Sequence, residues 1–337
     1  MKQYIFILTI FVFMMNLAIA QEMESINISD LTLKEKIAQM VMVRGAKYDA
    51  RFLDLGIGGI FLDKQSSEQT YKNLVNSYQK NSKIKLLVAT DMEGYWNPFP
   101  FYQSKNFKEI KNKEEAYELG KEHGKILKQV GFNFDFSPVA EEKNTVWPGR
   151  SFSGTHEEIK EKIAFYIKGL QEQKILATAK HYPGGSMLKD PHWFKVKAEI
   201  SREDLELFDY AIKNNVSSVM VGHAIVSGEL NSNGKQSTVS EEVISNLRKN
   251  FNGLIITDAI GMWGLKWSYL FKPEKLYPDL VKAGNDIILD TTYVLSNHQR
   301  VKQGINAIEK AVLSGEIPEE RIDDSVTRIL DTKNSLQ

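Results

Sequence analysis

Eight short apolar runs recur along the chain, and their alternation with longer amphipathic stretches restricts its fold more than any other feature. The runs are "MVMVRG" from Met40, "GIGGIFLD" from Gly56, "KLLVATD" from Lys85 and "FNFDFSPV" from Phe132, then "ATAKHY" from Ala177, "SSVMVGH" from Ser217, "LIITDAI" from Leu254 and "NDIILD" from Asn285. Each is short, rich in β-branched or aromatic residues, and apolar enough for a strand buried on both faces. The stretches between them read as helices. In "THEEIKEKIAFYIKGLQEQ", Ile159, Ile163, Tyr166, Ile167 and Leu170 fall on one helical face. Thr155 with Glu158 and Thr32 with Glu35 have capping-box spacing; Ser201 with Asp204 has a related one. Eight strands alternating with helices predict an α/β fold, a single (β/α)8 TIM-type barrel. The competing arrangement is an open doubly wound sheet, but no glycine-rich phosphate loop follows the first strand. The 337 residues contain no Pro/Ser-rich linker, and no repeat beyond the βα alternation.

The first twenty residues stand apart from this pattern. Met1-Lys2 precedes "YIFILTIFVFMMNLAIA", which closes on Ala18-Ile19-Ala20 with Gln21 next. A positive end, an apolar centre and an A-x-A site predict a secretory signal peptide over 1–20 and a barrel over 21–337. The expected location is periplasmic or extracellular, with no stable membrane insertion after cleavage. The chain has no cysteine, hence no disulfide and no thiol for a lipid anchor. Lys+Arg and Asp+Glu both number 43. That balance gives no sign of a nucleic-acid partner and suits a neutral one such as a carbohydrate. Nothing in the sequence sets the oligomeric state.

Barrel enzymes work where strands end and βα loops begin. The polar residues at those ends are Arg44, Asp63, Asp91 with Glu93, Glu141, Lys180 with His181, His223, Asp258 and Asp290. Asp258, directly after "GLIIT", can attack a carbon electrophile, bind a metal or orient a histidine. Asp190 and His192 lie one residue apart after the fifth strand, in a loop with few apolar anchors. There the carboxylate can hold one imidazole nitrogen and leave the other to move a proton. No metal or other cofactor is expected. The first strand lacks histidine, and Lys180, His181, His223 and Asp258 do not give a catalytic zinc three good ligands. His123, His156 and His298 fall in helical segments and are expected on the surface.

Taken in order, these segments resemble glycoside hydrolase family 3, in its single-barrel β-N-acetylhexosaminidase branch. The resemblance runs from about Leu33 to Leu330. "KIAQMVMVRG" resembles the family's first helix and strand, and "ATDMEG" its "DQEGG". "FNFDFSPVAE" and "GRSF" are similar to "NFAPVxD" and "RSF". "GLQEQKILATAKHYPGG" resembles "GLQxxGVxATxKHFPGHG". "GLIITDAIGM", ending at Met262, resembles the nucleophile segment "GVIxTDALxM", and "AGNDIILD" and "RIDDSVTRIL" resemble the closing strand and last helix.

The resemblance implies Asp258 as nucleophile, His192 as acid/base and Asp190 as its partner. It implies that Asp91, Arg150, Lys180 and His181 hold the sugar at the cleaved end, with Glu141, His223 and Met262 also at the substrate. The implied activity is retaining, cofactor-free release of terminal β-linked N-acetylglucosamine from peptidoglycan fragments or chitooligosaccharides. A phosphorylase of the same family and a glycan-binding protein without activity are the alternatives. The departures are local. "PGHG" is "PGGS" here, and one residue shorter before the Asp-x-His pair. "EGGRV" is "EGYWN", and Glu141 stands for an aspartate. Tyr95 and Trp96 then either stack on a sugar or close the barrel mouth.

Overall fold

The computed structural model describes residues 26–142, 144–186, 189–270, 272–292 and 298–336. The expected signal peptide over 1–20 lies outside the described residues. Every apolar run contains a strand: β1 Val41–Arg44, β2 Gly59–Phe61, β3 Leu87–Thr90, β4 Phe134–Asp135, β5 Thr178–Tyr182, β7 Ser218–Val221, β9 Leu254–Thr257 and β10 Ile288–Asp290. They pair in the order β10-β1-β2-β3-β4 and β5-β7-β9, always parallel. Parallel bridges Phe134–Leu176 and Ile256–Ile287 join these two sheets at both seams and close the barrel. β3, β7 and β9 are buried along their whole length. Burial on both faces is why they read as unbroken apolar runs rather than as alternation.

The helices form where their start signals stand. Thr32, Ser201 and Thr155 cap Leu33–Gln39, Arg202–Lys213 and His156–Gln171, each with its reciprocal carboxylate in place. Ile159, Ile163, Tyr166, Ile167 and Leu170 are all buried against the barrel wall. Helix Lys113–Gln129 packs tightly on His156–Gln171, because a Cβ at Gly120 would lie 2.2 Å from the Tyr166 carbonyl oxygen.

Two features depart from the sequence reading. β6 Lys197–Ile200 and β8 Ile225–Gly228 form a small separate parallel sheet on the connections after β5 and β7. β6 alternates exposed and buried residues, so it lacks the continuous apolar signal of the barrel strands. His123, expected at the surface, is fully buried. Its ring bonds the Ser104 hydroxyl at 2.7 Å and the Tyr166 hydroxyl at 2.8 Å, and burial pulls its pKa down to about 3. His156 is half-buried between Glu142 and Glu206. His298 is partly exposed at the start of its helix.

Candidate active site

The loops after the barrel strands surround a cavity of about 540 Å3. That size suits one or two sugar rings. Every polar strand-end residue named above except Glu93 and Asp290 lines it. Glu93 lies just beneath, fully buried. Asp290 turns into the wall, where the Tyr277 hydroxyl donates to it at 2.8 Å and Arg300 at 3.2 Å.

The floor is an interlocked set of charges. β3 delivers Asp91, and the turn after it tucks Glu93 under the cavity. Arg150 donates to both Glu93 oxygens, at 2.6 and 2.7 Å. Lys180, 2% exposed on β5, reaches Asp91 at 2.5 Å and also pairs with Glu93. Two cations face two carboxylates, so the buried charge is balanced. Burial would raise the Glu93 carboxyl, but Arg150 and Lys180 outweigh it and hold the group at about 2. Burial raises Asp91, against the pull of Lys180. Asp135, on β4 below them, accepts from the Met92 amide at 2.9 Å, and burial raises its pKa well above the usual carboxylate range.

One wall carries the other polar residues of the set. His181 meets Glu141 at 3.1 Å, and the Asn144 side-chain amide donates to Glu141 at 3.0 Å. The ring of Trp147 lies 5.0 Å from the Arg150 guanidinium carbon. His223 is buried with both ring nitrogens engaged, by the Thr238 hydroxyl at 2.8 Å and the Ala259 carbonyl at 3.1 Å. It therefore braces the Asp258 loop and presents only its carbon edge to the cavity. Met262 is buried at the base of the following helix and also lines the cavity.

Asp258 sits where β9 ends. Its amide donates to the Val221 carbonyl at 2.9 Å, and the Ile260 amide to that of Leu289 at 3.0 Å, so β7 and β10 clamp the segment from both sides. The Ala259 amide donates to the carboxylate at 2.7 Å. Burial pushes this carboxyl up, but the charges of His181, His223 and His192 outweigh burial and hold it at about 2. The group is a carboxylate at any pH near neutrality, as a nucleophile must be.

Asp190 and His192 come from the opposite kind of structure. Gly184 and Gly185, both at positive φ, turn the chain away from β5. Residues 187 and 188 of this loop lie outside the described residues. Beyond them, Asp190 accepts from the His192 amide at 2.8 Å and from its ring Nδ1 at 2.7 Å. One carboxylate thus shapes the turn and fixes the ring tautomer, leaving Nε2 as the atom that can exchange a proton. The anchors of this loop are backbone groups. The Trp263 amide donates to the His192 carbonyl at 2.9 Å, and a Cβ at Gly264 would lie 2.5 Å from the Phe194 carbonyl oxygen. The histidine loop is thereby seated on the first turn of the helix Trp263–Tyr269 that follows Asp258.

The sequence reading names Glu93 beside Asp91 as a strand-end residue but gives it no role at the substrate. It leaves out Trp147, Trp193, Trp263 and Lys266, which line the cavity. Lys266 is 8% exposed, its ammonium 5.6 Å from the Trp263 ring centre, and burial lowers its pKa. Only the tryptophans carried a signal, as aromatics in segments next to candidate catalytic residues.

Known proteins share this sequence and architecture. A β-N-acetylglucosaminidase/β-glucosidase of Cellulomonas fimi is 26% identical over 340 residues, covering 90% of this chain and 57% of that protein. The β-hexosaminidase LpqI of Mycobacterium tuberculosis is 23% identical, covering 90% and 83%. A family 3 β-N-acetylglucosaminidase structure from a Paenibacillus species superposes with a TM-score of 0.82 at 28% identity, over 91% of this chain and 63% of that one. The chain therefore spans well under two thirds of the Cellulomonas protein's length. The family model described as the glycosyl hydrolase family 3 N-terminal domain matches residues 32–332. By this match over nearly the whole described chain, and by its fold, the chain belongs to glycoside hydrolase family 3.

Proposed function

We propose that this chain is a retaining glycosidase that releases terminal β-linked N-acetylglucosamine from peptidoglycan fragments or chitooligosaccharides. The observation that carries the reading is the seating of the Asp190–His192 pair on the loop of an ionised Asp258, over one cavity. The Asp258 carboxylate attacks the anomeric carbon while His192 Nε2 gives its proton to the departing oxygen. A covalent glycosyl-enzyme forms. Water then enters, gives its proton to the now neutral imidazole and displaces Asp258, restoring both groups. Asp190 stabilises the imidazolium before each departure. The floor set of Asp91, Lys180 and Arg150, with His181, holds the hydroxyls of the sugar being released. The relatives named for β-N-acetylglucosaminidase and β-hexosaminidase activity support the choice of sugar. The apolar stretch ending in Ala18-Ile19-Ala20 supports export, with the working protein beginning near Gln21 and acting in the periplasm or outside the cell.

One observation favours a second reading, phosphorolysis. Lys266 is a buried cation in the cavity wall, its ammonium over the Trp263 ring and within electrostatic reach of Asp290 and Arg300, and a spent imidazole repels an anion less than a carboxylate does. The test is the purified protein on a panel of aryl β-glycosides, with and without phosphate. The proposal expects release from the N-acetylglucosaminide alone, with the β-anomer of the free sugar formed first. A sugar 1-phosphate would establish the phosphorylase. No release from any glycoside, with retained binding, would establish a glycan-binding protein.

A further inference from the structure

The tryptophans of this chain are concentrated at one end of the barrel. There are five. Trp96, Trp147, Trp193 and Trp263 line the catalytic cavity. The fifth, Trp267, lies just outside it, its ring centre 5.9 Å from that of Trp263. Trp193, Trp263 and Trp267 are 61%, 37% and 59% exposed. Single exposed aromatics are ordinary, but several gathered beside one cavity mark a binding surface.

Their position relative to the proton donor says which part of a ligand they meet. Trp193 follows His192 in the chain, and the Trp263 amide donates to the His192 carbonyl at 2.9 Å. A general acid must touch the oxygen of the leaving group. The leaving group therefore emerges beside His192, between these rings. Trp267 follows Trp263 by four residues, on the same face of helix Trp263–Tyr269 and one turn further from the cavity. The opposite side of the helix is fixed. Leu265 is buried, and the Gln236 side chain donates to the Gly264 carbonyl at 3.2 Å and to the Ser268 hydroxyl at 2.6 Å. A firmly held row of ring faces costs little ordering when a ligand lies on it.

An indole face is electron-rich, and a pyranose ring presents a face of weakly positive C–H groups. The indole faces themselves carry no net charge, so they suit a neutral sugar chain better than a charged peptide. We infer that Trp193, Trp263 and Trp267 form a stacking platform for the leaving-group side of a longer glycan, a β-linked N-acetylglucosamine oligomer extending at least two rings beyond the bond that is cut. This rests on the reading of Asp258 and His192 as nucleophile and acid. It adds that the substrate is an oligosaccharide rather than a disaccharide fragment.

The test measures kcat/KM on N-acetylglucosamine oligomers of two to five rings and on an aryl N-acetylglucosaminide, for the wild type, Trp267→Ala and Trp267→Phe. Wild-type efficiency should rise about tenfold from two rings to four, one stacked ring being worth about a factor of ten. Trp267→Ala should remove most of that rise relative to the aryl substrate, and Trp267→Phe should keep part of it. A flat length dependence in the wild type, or the same rise in Trp267→Ala, would overturn the platform. A wild-type dimer that Trp267→Ala dissociates in sedimentation would assign the face to a second copy and also overturn it. If the wild type cleaves neither aryl glycoside nor oligomer, the catalytic reading fails, and the platform is then judged by tryptophan fluorescence. Affinity that rises with oligomer length, and that Trp267→Ala flattens, supports it; affinity indifferent to length refutes it.

Discussion

The two halves of the site are built in opposite ways. The floor, with Asp91, Glu93, Arg150 and Lys180, is carried by strand ends and the turns beside them; its charges are mutually paired and, Asp91 excepted, buried. Among the described residues the histidine half has one ion pair, between Asp190 and a His192 side chain that is 50% exposed, and it is seated through backbone contacts. The difference suits the two tasks proposed for these halves. Gripping sugar hydroxyls needs donors and acceptors fixed before the ligand arrives, and interlocked ions give that rigidity. Delivering a proton needs a group that meets solvent between turnovers and changes charge without dismantling its surroundings. The floor's rigidity is linked to folding stability; the histidine's freedom is not.

The largest expected effect falls where the halves meet. Asp258→Asn preserves shape and should lose roughly 10^4-fold in kcat with the fold intact, as single losses of a nucleophile do. Near-wild-type turnover in that variant would remove Asp258 from the nucleophile role. The next effect separates the halves. Lys180→Met leaves Asp91 and Glu93 facing each other without their cation, so urea unfolding should report a loss of about 3–5 kcal/mol. His192→Ala should change stability by less than about 0.5 kcal/mol, because the ring is half exposed. Equal stability losses in the two variants would end the distinction.

Acid sharpens the same comparison. Glu93 is held at about 2 when folded, below its value in the unfolded chain. Such a group stabilises the fold above the unfolded pKa, and that contribution is lost as pH falls toward 2. Thermal midpoints should therefore drop between about pH 4.5 and 2, a window set by the two pKa values, and drop less steeply in Glu93→Gln. Parallel curves would mean that Glu93 is not held ionised by Arg150 and Lys180. The smallest effect is on the loop. Asp190→Asn should cost about tenfold in kcat/KM, the usual loss when a partner that orients a histidine is weakened.

How much of this could be read from the chain follows from the range of the interactions involved. The barrel strands were legible because burial on both faces makes a local apolar run, and the helix starts because a capping box spans only four residues. Asp258, Asp190 and His192 were legible as residue types at strand and loop positions, and the family resemblance supplied the roles proposed for them. Interactions between distant segments were not legible. His123 sits in "KEEAYELGKEHGK", whose charge reads as exposed, yet Ser104 and Tyr166 reach it from elsewhere in the chain. Asp290 ends a barrel strand like the others, but Arg300 and Tyr277 draw it into the wall. Glu93 becomes the centre of the floor only when β5 and the Gly149-Arg150 turn arrive beside it. The tryptophans appeared as scattered aromatics until folding gathered them at one mouth.

The central claim is that the proton comes from the loop and the nucleophile from the barrel. Its most direct test is the leaving-group dependence of His192→Ala, read in kcat/KM, which reports the first bond-breaking step and not the later attack of water. An N-acetylglucosamine disaccharide leaves poorly and needs protonation; an activated nitrophenyl glycoside does not. The account predicts a loss of about 10^2–10^4-fold on the disaccharide and less than about tenfold on the nitrophenyl substrate. Equal losses on the two would contradict it, and would place the acid on another residue of the cavity.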